Sequence, residues 1–149
     1  MNRCVHLWKD QKHTVRDKEK SKVVTCVDKK EKYRSVLSNG NVSIDCDNPK
    51  AYGGEGHEFG PHDFIEAGYA ACLNAGTRKI CERENVPYEE IKITVALDYH
   101  DDEKMYIRHK IEIKGVSKEV EADIAKREFE NCLVKRNLSK ELIFEPLED

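Results

Sequence analysis

Long apolar runs are what this chain lacks. No stretch of its 149 residues approaches the roughly 20 apolar residues of a membrane span. The opening residues, MNRCVHLWKDQKHTV, hold no apolar core of the kind a secretory signal needs. A cytoplasmic protein with no membrane partner is therefore expected. A basic stripe is also missing: 26 Lys and Arg are interspersed with 29 Asp and Glu, and the net charge is -3. Nucleic-acid binding needs clustered positive charge, so no nucleic-acid partner is expected. No CxxC or HxxxH spacing supports a closed zinc site, and neither metal nor cofactor is expected. Internal repeats and low-complexity linkers are absent, and the length suits one domain. Apolar residues make up 38% and charged ones 37%, which leaves little core material beyond one helix and a sheet. Dimerisation would enlarge such a core.

Cysteine, by contrast, is plentiful for a cytoplasmic chain, with six at positions 4, 26, 46, 72, 81 and 132. In a reducing compartment these are not a disulfide framework, so thiol redox chemistry becomes the question. Structural roles remain the default for Cys4, Cys26 and Cys46.

The apolar material concentrates between Gly53 and Asn85, where a glycine-rich turn leads through Pro61 into the longest apolar run. Proline suits the first helical position, because its missing N–H would have no partner there. From Phe64 to Ala75 only Glu66 and Asn74 are plainly polar, which predicts a central helix buried on most sides. Glu66 is expected to face the surface or to pair across a dimer, since an unpaired buried charge is costly. Beyond Gly76 the pattern turns amphipathic, and Asn85 followed by Pro87 gives a stop. Gly68, Cys72 and Gly76 are spaced four apart and form one flat stripe. Two helix-interior glycines cost about 1 kcal/mol each relative to Ala, so something is expected to approach the stripe closely. Cys81, nine residues on from Cys72, faces the opposite way.

On either side of this helix the periodicity is two. Val23 to Val27, then Tyr33, Ser35 and Leu37, then Val42, Ile44 and Cys46 read as a three-stranded antiparallel meander. Its second turn, Ser38-Asn39-Gly40-Asn41, carries the Asn-Gly hairpin signal. A second hairpin is predicted from Ile91, Ile93, Val95 and Leu97 and from Tyr106 to Lys114, across the acidic turn at residues 100–104. Ser117 is a helix N-cap with Glu119 and Glu121 in the first turn, and Ala122, Ala125, Phe129 and Cys132 recur as an apolar face. Residues 137–142 read as a short turn or helix, and Leu142, Phe144 and Leu147 as a final short strand. Residues 1–22, with nine Lys, Arg or His and three acids, read as an N-terminal arm preceding a single domain over 23–149.

The stretch GGEGHEFGPHDFIEAGYAACL, taken with Cys132 in FENCLVKRNLSKEL, resembles the osmotically inducible protein C and organic hydroperoxide resistance family (OsmC/Ohr), over roughly residues 23–147. The resemblance implies an α+β fold in which antiparallel sheets wrap around a long central helix, assembled as an intertwined homodimer. It also implies a cysteine-based peroxidase for organic (alkyl or lipid) hydroperoxides that serves oxidative-stress defence. Cys72 falls on the peroxidatic position and Cys132 on the resolving one. A thiol reductant, either a lipoylated protein or a small dithiol, would restore the pair.

Members of the Ohr type activate the first cysteine with an arginine from the first sheet and a glutamate just before the central helix. Here His62 stands at the glutamate position with Asp63 beside it, and Arg34 is the nearest arginine. Phe129 stands where a histidine is usual, and Leu133 where a proline follows the second cysteine. These departures motivate an alternative, a non-catalytic dimeric module that binds an apolar small molecule.

Overall fold

A computed structural model describes residues 23–147. The expected arm at 1–22 lies outside the described residues. The chain divides into two compact units, one ending at Gly60 and the other beginning at Pro61.

In the first unit, β1 (Thr25–Asp28), β2 (Ser35–Ser38) and β3 (Ser43–Cys46) form an antiparallel meander in that order. Its register sets Cys26 opposite Leu37 and Leu37 opposite Ile44. The Asn-Gly turn forms as predicted. Gly40 takes a left-handed φ of 86°, and the Asn39 side-chain oxygen accepts from the amides of Asn41 and Val42 at 3.0 Å each. After β3 the chain doubles back on Asp47. This side chain is buried, and its Oδ2 accepts from the amides of Glu55 (3.1 Å) and His57 (3.3 Å). Burial alone would raise the Asp47 carboxyl, but the amide donors win and hold it below the ordinary value. Gly54 is required here, because a Cβ would run into the carbonyl of Asn48 and the carboxyl of Asp47. The glycine-rich stretch is thus a loop wound around one carboxylate. Within the unit Val24, Val27 and Ile44 remain more than half exposed, so the meander covers little of its own apolar surface.

In the second unit, α1 runs from Pro61 to Glu84 and starts where the proline places it. It ends as Asn85 turns left-handed (φ 53°) and Val86 donates to the carbonyl of Cys81 at 2.9 Å. Strands β4 (Glu90–Asp98) and β5 (Tyr106–Lys114) pair antiparallel, with Ile91 opposite Ile113 and Leu97 opposite Ile107. Helices α2 (Lys118–Asn131) and α3 (Leu133–Leu138) follow. Ser117 caps α2, its Oγ accepting from the amide of Val120 at 3.4 Å. The core gathers Tyr69, Leu73, Ile80 and Cys81 from α1, Ile111 and Ile113 from β5, and Ile124 and Cys132. Truncating a wholly buried Leu73 or Ile124 to Ala would cost about 2–5 kcal/mol.

Four expectations change. First, the middle of α1 is not covered on most sides within the chain: Ile65, Gly68, Ala71 and Ala75 form an exposed apolar stripe, while Tyr69, Leu73, Thr77 and Ile80 are buried. Second, Glu66 neither faces solvent nor waits for a partner copy. It is half-buried and accepts the backbone N–H of Leu97 on β4 at 2.8 Å, because one amide left over at the strand edge satisfies the carboxylate. Third, the covered face of α2 is Ile124, Glu128 and, at its end, Cys132, whereas Ala122 and Phe129 are exposed. The buried stripe keeps a spacing of four, which the apolar pattern hid by placing a glutamate in it. Fourth, residues 141–147 form no strand, and Leu142, Phe144 and Leu147 are exposed. Among the described residues no strand lies beside them to supply backbone partners, and apolar alternation alone does not make a strand.

Candidate active site

Two helices build the site. Cys72 sits on α1, half-buried and packed against the core. Cys132 sits where α2 hands over to α3, its backbone leaving helical geometry at φ -57° and ψ 118°. Its N–H still donates to Glu128 O at 2.8 Å, and its own C=O accepts from the N–H of Arg136 at 3.0 Å. The break therefore leaves both backbone groups of Cys132 paired while it turns the thiol inward, 1% exposed. There the Cys132 thiol lies within hydrogen-bonding range of Cys72. Sixty residues of sequence separate two groups that the fold brings together.

Burial, followed by the hydrogen bond and charge of Cys72, pushes the Cys132 thiol up to about 11. Cys132 is thus a neutral S–H at neutral pH. Tyr69, one turn before Cys72, is also buried. Its hydroxyl is pushed up to about 12, first by desolvation and then by Cys132, Cys72 and Glu128.

Glu128 is the residue that sequence reasoning missed. Its side chain is 5% exposed, and its carboxyl occupies the space that a Cβ on Gly76 would need. The close approach expected of the flat stripe occurs at Gly76, whereas around Gly68 nothing lies within 4 Å of a Cβ position. Desolvation raises the Glu128 carboxyl to about 7, opposed in part by Lys79. The spacing of four through Ile124, Glu128 and Cys132 was the available signal.

Beside Tyr69 lies a pocket of about 290 Å³, lined also by Met105, Ile107, Phe129, Lys135 and Leu138. His109 of β5 stands next to it. The Tyr69 hydroxyl and His109 Nδ1 are 3.4 Å apart, and the His109 ring stacks on Phe129 at 5.0 Å. Burial, with Lys135 adding to it, lowers the His109 imidazole below its usual value. The Lys135 ammonium lies 3.9 Å from the centre of the Phe129 ring. Ser139 completes the lining, so the pocket combines apolar side chains with hydroxyls and one cation.

Three groups were expected to activate Cys72, two at the start of its own helix and one in the first unit. His62 and Asp63 open α1, with the His62 ring edge-on to Tyr99 at 5.7 Å. Nine or ten residues at 1.5 Å rise put them about 14–15 Å along the axis from Cys72, beyond hydrogen-bonding reach within one chain. Arg34 lies in the first unit, where its guanidinium engages Glu31 (2.8 Å), Glu58 (3.4 Å) and Asp45 (3.5 Å). Of the remaining cysteines, Cys81 and Cys46 are buried and Cys26 is exposed; Cys4 lies outside the described residues. Among the described residues no three His, Cys, Asp or Glu side chains converge to hold a metal ion. No helix among them is long and apolar enough to cross a membrane.

Residues 54–145 match the family model described as OsmC-like protein. No curated protein matches the chain in sequence. Solved structures with the same fold include the organic hydroperoxide resistance protein OsmC of Legionella pneumophila, at 19% identity and a TM-score of 0.57 over 78% of this chain and 89% of that one. The OsmC-like protein of Mycoplasma pneumoniae aligns at 17% identity and a TM-score of 0.62, covering 80% and 88% respectively. The organic hydroperoxide resistance protein OhrB of Bacillus subtilis aligns at 19% and 0.57, covering 78% and 89%.

Proposed function

The chain belongs to the OsmC-like protein family, and from that premise we propose that it is a thiol-dependent peroxidase for organic hydroperoxides, with Cys72 as nucleophile and Cys132 as resolving thiol. The observation that carries the reading is the contact between these two thiols, one half-buried and one fully enclosed. In the first step the Cys72 thiolate attacks one peroxide oxygen and the O–O bond breaks. The alkoxide leaves and takes a proton as the alcohol, while Cys72 becomes a sulfenic acid. The Cys132 sulfur then displaces the hydroxyl, which departs as water, and a disulfide remains. An external dithiol, lipoylated protein or small molecule, exchanges with it and restores both thiols.

The adjacent pocket supports an alkyl or lipid hydroperoxide over hydrogen peroxide, since only a carbon tail gains by burial against Met105, Ile107 and Leu138. The exposed stripe on α1 supports a homodimer, because a second copy would cover Ile65, Gly68, Ala71 and Ala75. Arg34, His62 and Asp63 remain the candidates for activating Cys72, and along their own helix His62 and Asp63 stand too far from it to act within one copy.

The test is intact-mass measurement and peptide mapping after a single equivalent of cumene hydroperoxide, comparing wild type with Cys132→Ser. Wild type should form a Cys72–Cys132 disulfide, and the variant should stop at a sulfenate on Cys72. Equal oxidation of all the cysteines would sink the peroxidase reading. One observation favours a second reading, a module that binds an apolar small molecule: neither cysteine lines the pocket. An apolar ligand recovered from purified protein, with Cys72 inert to peroxide, would select it.

A further inference from the structure

The two helices meet at two matched rungs. On one, Cys72 faces Cys132; on the other, one helical turn along each helix, Gly76 faces Glu128. Four residues at 1.5 Å put the rungs about 6 Å apart. The second rung is built for a carboxyl. Gly76 costs about 1 kcal/mol of helix propensity, and what its missing side chain accommodates is the Glu128 head group. That head group is buried, and Lys79 only partly offsets its desolvation. A desolvated carboxyl is unfavourable as an anion.

We propose that Glu128 is the proton acceptor for Cys132 in the resolving step, a positioning residue that acts through that thiol and not on the hydroperoxide. The inference rests on the peroxidase reading for its reaction, though not for its test. The resolving step needs such a group. With its thiol near 11, Cys132 would be ionised in roughly one molecule in 10⁴ at neutral pH. In the step, the Cys132 S–H proton passes to the Glu128 carboxylate as the Cys132 sulfur attacks Cys72. The Cys72 S–O bond breaks, the S–S bond forms, and the departing hydroxide takes the proton back from Glu128 as water. No further oxidant is consumed, and Glu128 ends as it began.

The titratable and charged groups around Glu128 are consistent with this. From α1 come Tyr69 and Lys79, and at the end of its own helix comes Cys132. Of these only Lys79 carries a standing positive charge near neutral pH. Glu128 therefore titrates close to the pH at which it must both accept and return a proton.

The step can be isolated without a hydroperoxide. Ellman's reagent forms a mixed disulfide at Cys72, and attack by Cys132 releases a second thionitrobenzoate. Peptide mapping assigns the resulting Cys72–Cys132 bond against the other thiols. In wild type the rate of this second release should rise through an inflection near pH 7. In Glu128→Gln it should fall by roughly 100-fold at pH 7 and follow only the higher titration of the thiol. Gly76→Ala, which keeps the glutamate but evicts it from its hollow, should show the same loss. If either variant keeps the wild-type rate and pH profile, the assignment is overturned. A wild type that passes this test but forms no Cys72 sulfenate with cumene hydroperoxide would sink the peroxidase reading and leave the role of Glu128 standing.

Discussion

The carboxyl of Glu128 fills the place of the side chain that Gly76 does not have. A glycine in the middle of a 24-residue helix thus makes room for a residue 52 positions later.

Gly76→Ala should leave the protein folded with a melting temperature that is unchanged or raised. Alanine gains about 1 kcal/mol in a helix interior. The nearest group a Cβ meets is the far end of a flexible side chain, which can swing away. Thermal unfolding checks this; a large drop would mean that the carboxyl cannot leave.

Gly54→Ala should behave in the opposite way. Here the obstruction is the backbone carbonyl of Asn48 and the enclosed Asp47 carboxyl, neither of which can yield without opening the loop. A loss of about 1–3 kcal/mol is expected, read as a lowered denaturant midpoint.

Glu128 also makes stability depend on pH. Its folded value, about 7, lies above the ordinary carboxyl value of 4.5, so between these limits the folded state holds a proton that the unfolded chain has lost. Stability therefore falls as pH rises from near 4.5 through 7. The cost, once the carboxylate is charged, is on the order of 3 kcal/mol. Glu128→Gln, which cannot charge, should gain on wild type between pH 5 and pH 8 in urea titrations. A constant difference across that range would contradict the buried carboxyl.

Glu66→Ala removes the acceptor of the Leu97 amide. Leaving that donor unsatisfied at a part-buried site should cost about 1–3 kcal/mol, with the hydrogen-exchange protection of Leu97 reduced ahead of the rest of β4.

Much of this architecture could be read before any coordinates. Asn39-Gly40 announces a hairpin, Pro61 and Asn85 bracket α1, and Ser117 caps α2, because each depends on a residue and its immediate neighbours. The alternation of Ile91, Ile93, Val95 and Leu97 is equally local. The site was legible only in part. Cys72 and Cys132 were singled out by a resemblance, since no spacing in sequence implies their contact. Glu128 went unnoticed because a charged residue in an apolar stripe is ordinarily discounted, and the glycine that makes room for it lies on another helix. Glu66 was misread for a similar reason, as its partner is a backbone amide 31 positions away. Leu142, Phe144 and Leu147 failed in the other direction: the pattern is present, but among the described residues no strand pairs with it.

The side chains that tie helices to the hairpin act on its margins. Glu66 takes the Leu97 N–H, Asn74 donates to Ile91 O at 3.3 Å on the same margin of β4, and Glu121 takes the Ile113 N–H on the far margin of β5 at 2.7 Å. A two-stranded ribbon offers two open rows of amides and carbonyls, which invite stray strands and begin aggregates. An incoming chain would have to strip away the side chains on the margin it approached, two on β4 or one on β5, so the same contacts that fasten the ribbon to its helices also guard it against its own kind.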